Sequence, residues 1–316
     1  LFRFLRDAAI KAGSATARNQ EYRVSFSMNR HDRRRKIADI SKTDAMWTAF
    51  PADMRAATEL HRQGRLKEAA DTYRKITKVY ADHPDVRVAW SNLGATLQGL
   101  GKLDEAVPAL KKARALKPDH PPPHHNLGMA LAQQGKFDEA LESLSRAVEL
   151  DPNFTNAWVG LALVREQMGD LPLAVDAYRS AAAADPRAVD PRFNLGNLLF
   201  RMGQMEEARV AFTEVLTLRP PFPEAIFALG RTLEALGDLL GAAERYLSST
   251  TLAPQAQVAH VQFANLVLVI AGQDRPTALS LVERWKAAHP GHPIAPQLDE
   301  RLAQSTTTVA EGAAEA

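Results

Sequence analysis

The chain has no cysteine among its 316 residues. This excludes disulfide scaffolds, cysteine-ligated zinc or iron–sulfur sites and thiol nucleophiles. Long apolar runs are also missing. The longest, Val261–Gly272, is too short to cross a bilayer. Near the N-terminus arginines alternate with apolar residues and no continuous apolar core forms, so a secretory signal is not expected and a cytoplasmic protein is. Catalytic signatures are absent too. Gly101-Lys102 and Gly135-Lys136 lack the upstream glycine of a Walker A loop, and neither an HExxH helix nor a GxSxG elbow occurs. The GLGKLD run at 99–104 imitates the start of a dinucleotide loop, but no strand precedes it. No catalytic residue, cofactor or metal is expected.

What is present is the composition of a folded protein, 46% hydrophobic and 24% charged. The charge is unevenly spread: residues 1–49 carry a net +6 and the remainder a net −4. A basic, flexible arm therefore precedes a mildly acidic body. Its densest stretch, Arg30–Lys36, has no interleaved aromatics, and nucleic-acid or anionic-membrane contact through it is not expected. The run MNRHDRRRK reads as a bacterial start at Met28, with a non-ATG extension over residues 1–27 or an Arg-rich transit peptide over residues 1–36 as alternatives.

The body is periodic. NLGATLQGLGKLDEA (92–106), NLGMALAQQGKFDEA (126–140) and NLGNLLFRMGQMEEA (194–208) align at multiples of 34 residues. Counting each repeat from its first residue, position 8 is small in every copy (Ala57, Gly94, Gly128, Ala162, Gly196, Gly230, Ala264). Position 20 is alanine (Ala69, Ala106, Ala140, Ala174, Ala208, Ala242 and, shifted by two, Ala278). Position 24 is large (Tyr73, Leu110, Leu144, Tyr178, Phe212, Tyr246, Val282), and a proline closes each copy. This pattern resembles the tetratricopeptide repeat, of bacterial type. The resemblance implies an all-α, right-handed superhelical solenoid of about seven helix–turn–helix repeats: 50–86, 87–120, 121–154, 155–188, 189–222, 223–256 and 257–292. Residues 293–316 are expected to form a short capping helix near Ala295–Ala303 and a disordered tail.

Steric rules account for the pattern. Glycine after a helix end accepts the left-handed conformation, so the inter-helix breaks are expected near Gly64, Gly101, Gly135, Gly169, Gly203 and Gly237. The small residues at positions 8 and 20 mark the closest approach of the two helices, while position 24 and the leucines at position 7 fill space toward the next repeat. Proline stops each second helix, and Pro121–Pro123 suit a first turn. Acidic pairs such as Asp104-Glu105 and Asp138-Glu139 open second helices, where they complement the helix dipole. The deviations in repeats one (a longer second helix) and seven (two extra residues at Ala271–Pro276) are read as those of array ends. The histidine groups His120, His124, His125 and His289, His292 fall at repeat junctions and are read as structural.

The resemblance further implies a concave groove lined by first helices that binds peptides or partner proteins. Candidate groove residues are Asn92, Asn126, Met129, Val159, Leu163, Phe193, Asn194, Asn197, Phe200, Arg201, Phe227 and Arg231. The row Asn92, Asn126, Asn194, broken by Gly160 and Ala228, is similar to the asparagine ladder of O-linked N-acetylglucosamine transferase arrays; it equally fits the repeat consensus. The aromatic and Met positions are either partner anchors or inter-helix packing. Arg201 and Arg231 are suited to an acidic ligand. Ser91, Ala95, Asn126, Asn156 and Gly160 match the chaperone carboxylate clamp at one place in five, so that co-chaperone function is not expected. The expectation is a non-enzymatic scaffold for a protein or peptide partner, with self-association as a further possibility. The alternative is a recognition module serving a glycosyltransferase or other transferase in trans.

Overall fold

A computed structural model describes residue 32 and residues 46–314, with side chains through residue 304. The Met28 start and most of Arg30–Lys36 lie outside the described residues. Fifteen helices run between Phe50 and Ala314, and no strand occurs among the described residues. In order they are α1 (Phe50–Arg62), α2 (Leu66–Val79), α3 (Val86–Gly99), α4 (Leu103–Leu116), α5 (Pro121–Gln133), α6 (Phe137–Leu150), α7 (Thr155–Met168), α8 (Leu171–Ala184), α9 (Asp190–Arg201), α10 (Met205–Leu218), α11 (Pro223–Ala235), α12 (Leu239–Leu252), α13 (Gln257–Ala271), α14 (Arg275–Ala288) and α15 (Ile294–Ala314). Odd-numbered α1–α13 are first helices and even-numbered α2–α14 second helices, giving an all-α solenoid of seven helix–turn–helix repeats.

The chain divides into two compact blocks, residues 1–117 and 118–316. In the first, α1 packs on α2, α2 on α3 and α3 on α4. In the second, each helix pair closes on itself, and α6, α8, α10 and α12 each pack on the first helix of the following repeat.

The hairpin inside each repeat follows from close approach. The position-20 alanines from Ala69 to Ala278 are all 0% exposed, which leaves no room for a larger side chain. A Cβ added at Gly196 would lie 2.7 Å from Phe212 Cε1, and one at Gly230 2.7 Å from Tyr246 Cε1. The large residue at position 24 therefore lies on position 8 of its own repeat, not only toward the next. The turns are left-handed at glycine as expected. At Gly169 (φ 85°) the Gly169 and Asp170 N–H groups return to Glu166 and Arg165 carbonyls at 3.0 and 2.9 Å. From α4 on, second helices stop two residues before their proline because the residue ahead of proline is driven to extended backbone; Asp151, before Pro152, has φ −144° and ψ 96°.

The carbonyls of the closing prolines are then taken by position 4 of the next repeat. His124 Nε2 donates to Pro118 O (2.7 Å), Trp158 Nε1 to Pro152 O (2.9 Å) and His260 Nε2 to Pro254 O (2.9 Å). Arg192 donates to Ala188 O and Ala182 O at 2.8 and 3.2 Å. His124 is thus a packing residue that also closes a joint between repeats.

The two ends differ from expectation. Helix α2 has the ordinary 14 residues, and the extra length of repeat one lies in the connection after it. There buried Tyr80 donates to Asp53 Oδ2 at 2.5 Å and His83 stacks on Phe50 at 3.8 Å. Trp47, assigned to the arm, packs edge-on to His83 at 5.2 Å, so the fold begins before residue 50. In repeat seven one extra residue lengthens α13 and another enters the turn, where Gly272 (φ −72°) is not left-handed. The expected short cap and disordered tail are replaced by one helix running from Ile294 to Ala314.

Candidate interaction surface

All twelve candidate residues lie on first helices and none is buried. Asn92 belongs to the first block and the others to the second. Spacings of three and four residues place positions 2, 5, 6, 9, 12 and 13 on one face of each first helix, so these residues share a surface repeat by repeat. The structure separates those already engaged by the fold from those that remain available.

Asn92 is engaged. Its Nδ2 donates to Tyr73 Oη (3.3 Å), Tyr73 donates to Thr58 Oγ1 (3.1 Å), and Thr58 donates to Met54 O (2.8 Å). Asn126 Oδ1 accepts from His125 Nδ1 at 3.1 Å. Burial holds the His125 imidazole below its ordinary range, opposed by its bonds to Asn126 and to the Asn156 backbone. The asparagine row breaks at Gly160 for a steric reason: a Cβ there would meet Leu144 Cδ2 at 2.8 Å and Met129 Sδ at 3.0 Å. Met129 is therefore packed into the glycine's place.

Repeats four to six carry a different arrangement. Tyr178 on α8 donates to Glu166 Oε1 on α7 at 2.6 Å, and Glu166 pairs with Arg201 on α9. In repeat six Tyr246 donates to Glu234 Oε2 at 2.6 Å. Burial first, then the bonded carboxylate, pushes both phenols far above their usual range, so they remain donors throughout the physiological range. Arg231 lies over the Phe200 ring at 4.6 Å. Phe193 contacts Phe212 (5.9 Å between ring centroids) and Phe222 (5.2 Å), and Phe227 contacts Tyr246 (5.4 Å). These phenylalanines are thus half packed and half presented. Leu163 is 37% exposed, and Val159 is half-buried beside it on α7. The Asn194 and Asn197 side chains and the Arg231 guanidinium have no hydrogen bond or ion pair to another described residue.

The tyrosine–glutamate pairs were not read from the sequence as a set. Their signal is co-occurrence: tyrosine at position 24 accompanies glutamate at position 12 in repeats four and six, while Leu110, Leu144 and Phe212 accompany Gln98, Ala132 and Phe200, and Tyr73 of repeat one, with His61 at position 12, turns instead to Thr58 and Asn92. Repeat seven adds exposed Val258, Val261 and Val269 on α13, also unanticipated. Among the described residues no group of three or more His, Asp or Glu side chains is arranged to hold a metal ion, and no helix is long and apolar enough to cross a membrane.

The tetratricopeptide-repeat family matches residues 50–119, 125–189 and 193–256, together well over half of the sequence, and the chain belongs to that family. Repeat seven, with its two extra residues, lies outside those matches. Among solved structures, the C-terminal part of a TPR repeat-containing protein from Cytophaga hutchinsonii is 17% identical with a TM-score of 0.61, covering 77% of this chain and 98% of that one. PilF of Pseudomonas aeruginosa is 19% identical, with a TM-score of 0.57 and coverages of 69% and 98%. PilW, a type IV pilus biogenesis factor, is 19% identical, with a TM-score of 0.58 and coverages of 67% and 97%. At these identities the likeness is one of fold. No curated protein matches the sequence.

Proposed function

We propose that the chain is a non-enzymatic scaffold that binds a peptide segment or helix of another protein along the first helices of repeats four to six. The observation that carries this reading is a set of side chains without hydrogen-bond or ion-pair partners among the described residues, Asn194, Asn197 and Arg231, interleaved with half-presented Phe193, Phe200 and Phe227. Asparagine pairs with either polarity of an extended backbone, the guanidinium fits a carboxylate or carbonyl, and the aromatic edges supply apolar area. The Tyr178–Glu166–Arg201 and Tyr246–Glu234 bonds hold the face in place before a partner arrives, which lowers the ordering cost of binding.

The test is selection of a displayed random-peptide library on the full chain, followed by titration of the enriched peptides against variants. Asn194→Ala, Asn197→Ala and Arg231→Ala combined should weaken binding at least about tenfold, equivalent to about 1.4 kcal/mol. Arg179→Ala, on a second helix, should leave it unchanged. Peptides that bind the triple variant as tightly as the parent would remove this face as the binding site.

A further inference from the structure

We infer that the joint between repeat seven and its closing helix α15 is an acid-released lock, shut while three histidines are neutral. His260 on α13 lies nearly parallel to His292 at 4.3 Å between ring centroids and edge-on to His289 at 4.7 Å. Trp285 of α14, 0% exposed, contacts all three rings at 5.1–5.7 Å. His260 and His289 are buried, and His292 is half-buried.

The hydrogen bonds require an unprotonated ring nitrogen on His260 and on His292. Trp285 Nε1 donates to His260 Nδ1 (3.1 Å), leaving the His260 proton on Nε2 for Pro254 O. Thr250 gives its proton to Leu247 O, so its oxygen accepts from His289 Nε2 at 3.2 Å. The backbone N–H of Ile294, the first residue of α15, donates to His292 Nδ1 at 3.3 Å. A proton arriving at that nitrogen removes the acceptor that starts the helix. It also sets a cation against His260 and His289.

No counter-charge compensates. Helix α13 carries no charged residue, Arg284 of α14 is paired with Glu244 of α12 (2.6 Å), and Lys286 with Asp299 of α15 (2.5 Å). Arg275 donates to Leu302 O at 3.0 Å, and Glu283, Arg245, Glu300 and Arg301 are exposed. Burial first, then the neighbouring histidines, keeps His289 and His292 below the ordinary imidazole range. The unfolded joint therefore binds more protons than the folded one. Its stability is complete above the ordinary histidine value, about 6.5, and falls as pH drops below it. Release of α15 would lift Leu298 and Leu302 from the cluster of Phe263, Val267, Val282 and Trp285 and uncover an apolar repeat end.

Hydrogen exchange on the full chain at about pH 7.5 and 5.5, corrected for intrinsic rates, tests this. Residues 294–304 should lose protection at least about tenfold on acidification while residues 155–184 do not, and His289→Gln/His292→Gln should flatten the response to within about twofold. Equal protection of α15 at both pH values, or an undiminished response in the double variant, would overturn the lock. Should circular dichroism show that the variant fails to fold, histidine-ring NMR of the parent decides. Titration of His289 and His292 below the ordinary value, together with loss of α15 amide signals, supports the lock; titration at or above it overturns the lock.

Discussion

Repeats four and six bury a tyrosine at position 24, whereas repeats three and five bury Leu144 and Phe212 at the same place. All four side chains fill the hairpin, but only the tyrosines bring a hydroxyl that must find an acceptor. Tyr178 and Tyr246 find one on the opposite helix, at Glu166 and Glu234. Repeat five has Phe200 at that position and uses the ring to support Arg231 from the following first helix. In repeats four to six the residue packed inside the hairpin thus goes with the one it meets on the first helix, a carboxylate for tyrosine and an aromatic ring for phenylalanine.

The comparison breaks most severely where both kinds of repeat depend on a missing side chain. Gly196→Leu would drive atoms into Phe212, already 2.7 Å from a modest Cβ, and should cost about 3 kcal/mol in urea denaturation. Transplanting the chemistry is the sharper test. Phe212→Tyr alone buries a hydroxyl opposite Phe200 and should cost about 2 kcal/mol, of which Phe200→Glu in the same chain should restore about 1 kcal/mol. Failure of that rescue would show that the tyrosine–glutamate pair needs more than its two positions.

A smaller loss, about 1 kcal/mol, is expected for Tyr178→Phe, which leaves half-buried Glu166 with only the Arg201 partner. The least effect concerns the second helices. There Arg179 on α8 pairs with Glu207 on α10 at 2.6 Å, both about half exposed. A double-mutant cycle on that pair should return about 0.5 kcal/mol, shrinking further in high salt.

The repeat period, the seven helix pairs, the turn glycines and the proline stops were legible in the sequence because each reflects a local steric rule. Ala140 must be small, Gly169 must turn left-handed and Pro152 must end a helix, whatever the neighbouring repeat contains. The candidate face was legible only as a set of positions. Residues that look equivalent there differ in how far the fold has already engaged them: Asn92 holds Tyr73, Met129 fills the space beside Gly160, and Arg201 is paired with Glu166, while Asn194 and Asn197 keep their hydrogen-bonding groups. The tail and the histidine joint were hidden for the same reason. His292 reads as a turn residue until α13, α14 and α15 bring His260, Trp285 and the Ile294 N–H to it. Sequence by itself determined the repeating backbone, since a helix pair needs its small residues, turns and stops within one period. Only the tertiary structure decided which side chains remain available, because their partners come from the opposite helix or the adjoining repeat, and the repeat pattern does not specify that pairing.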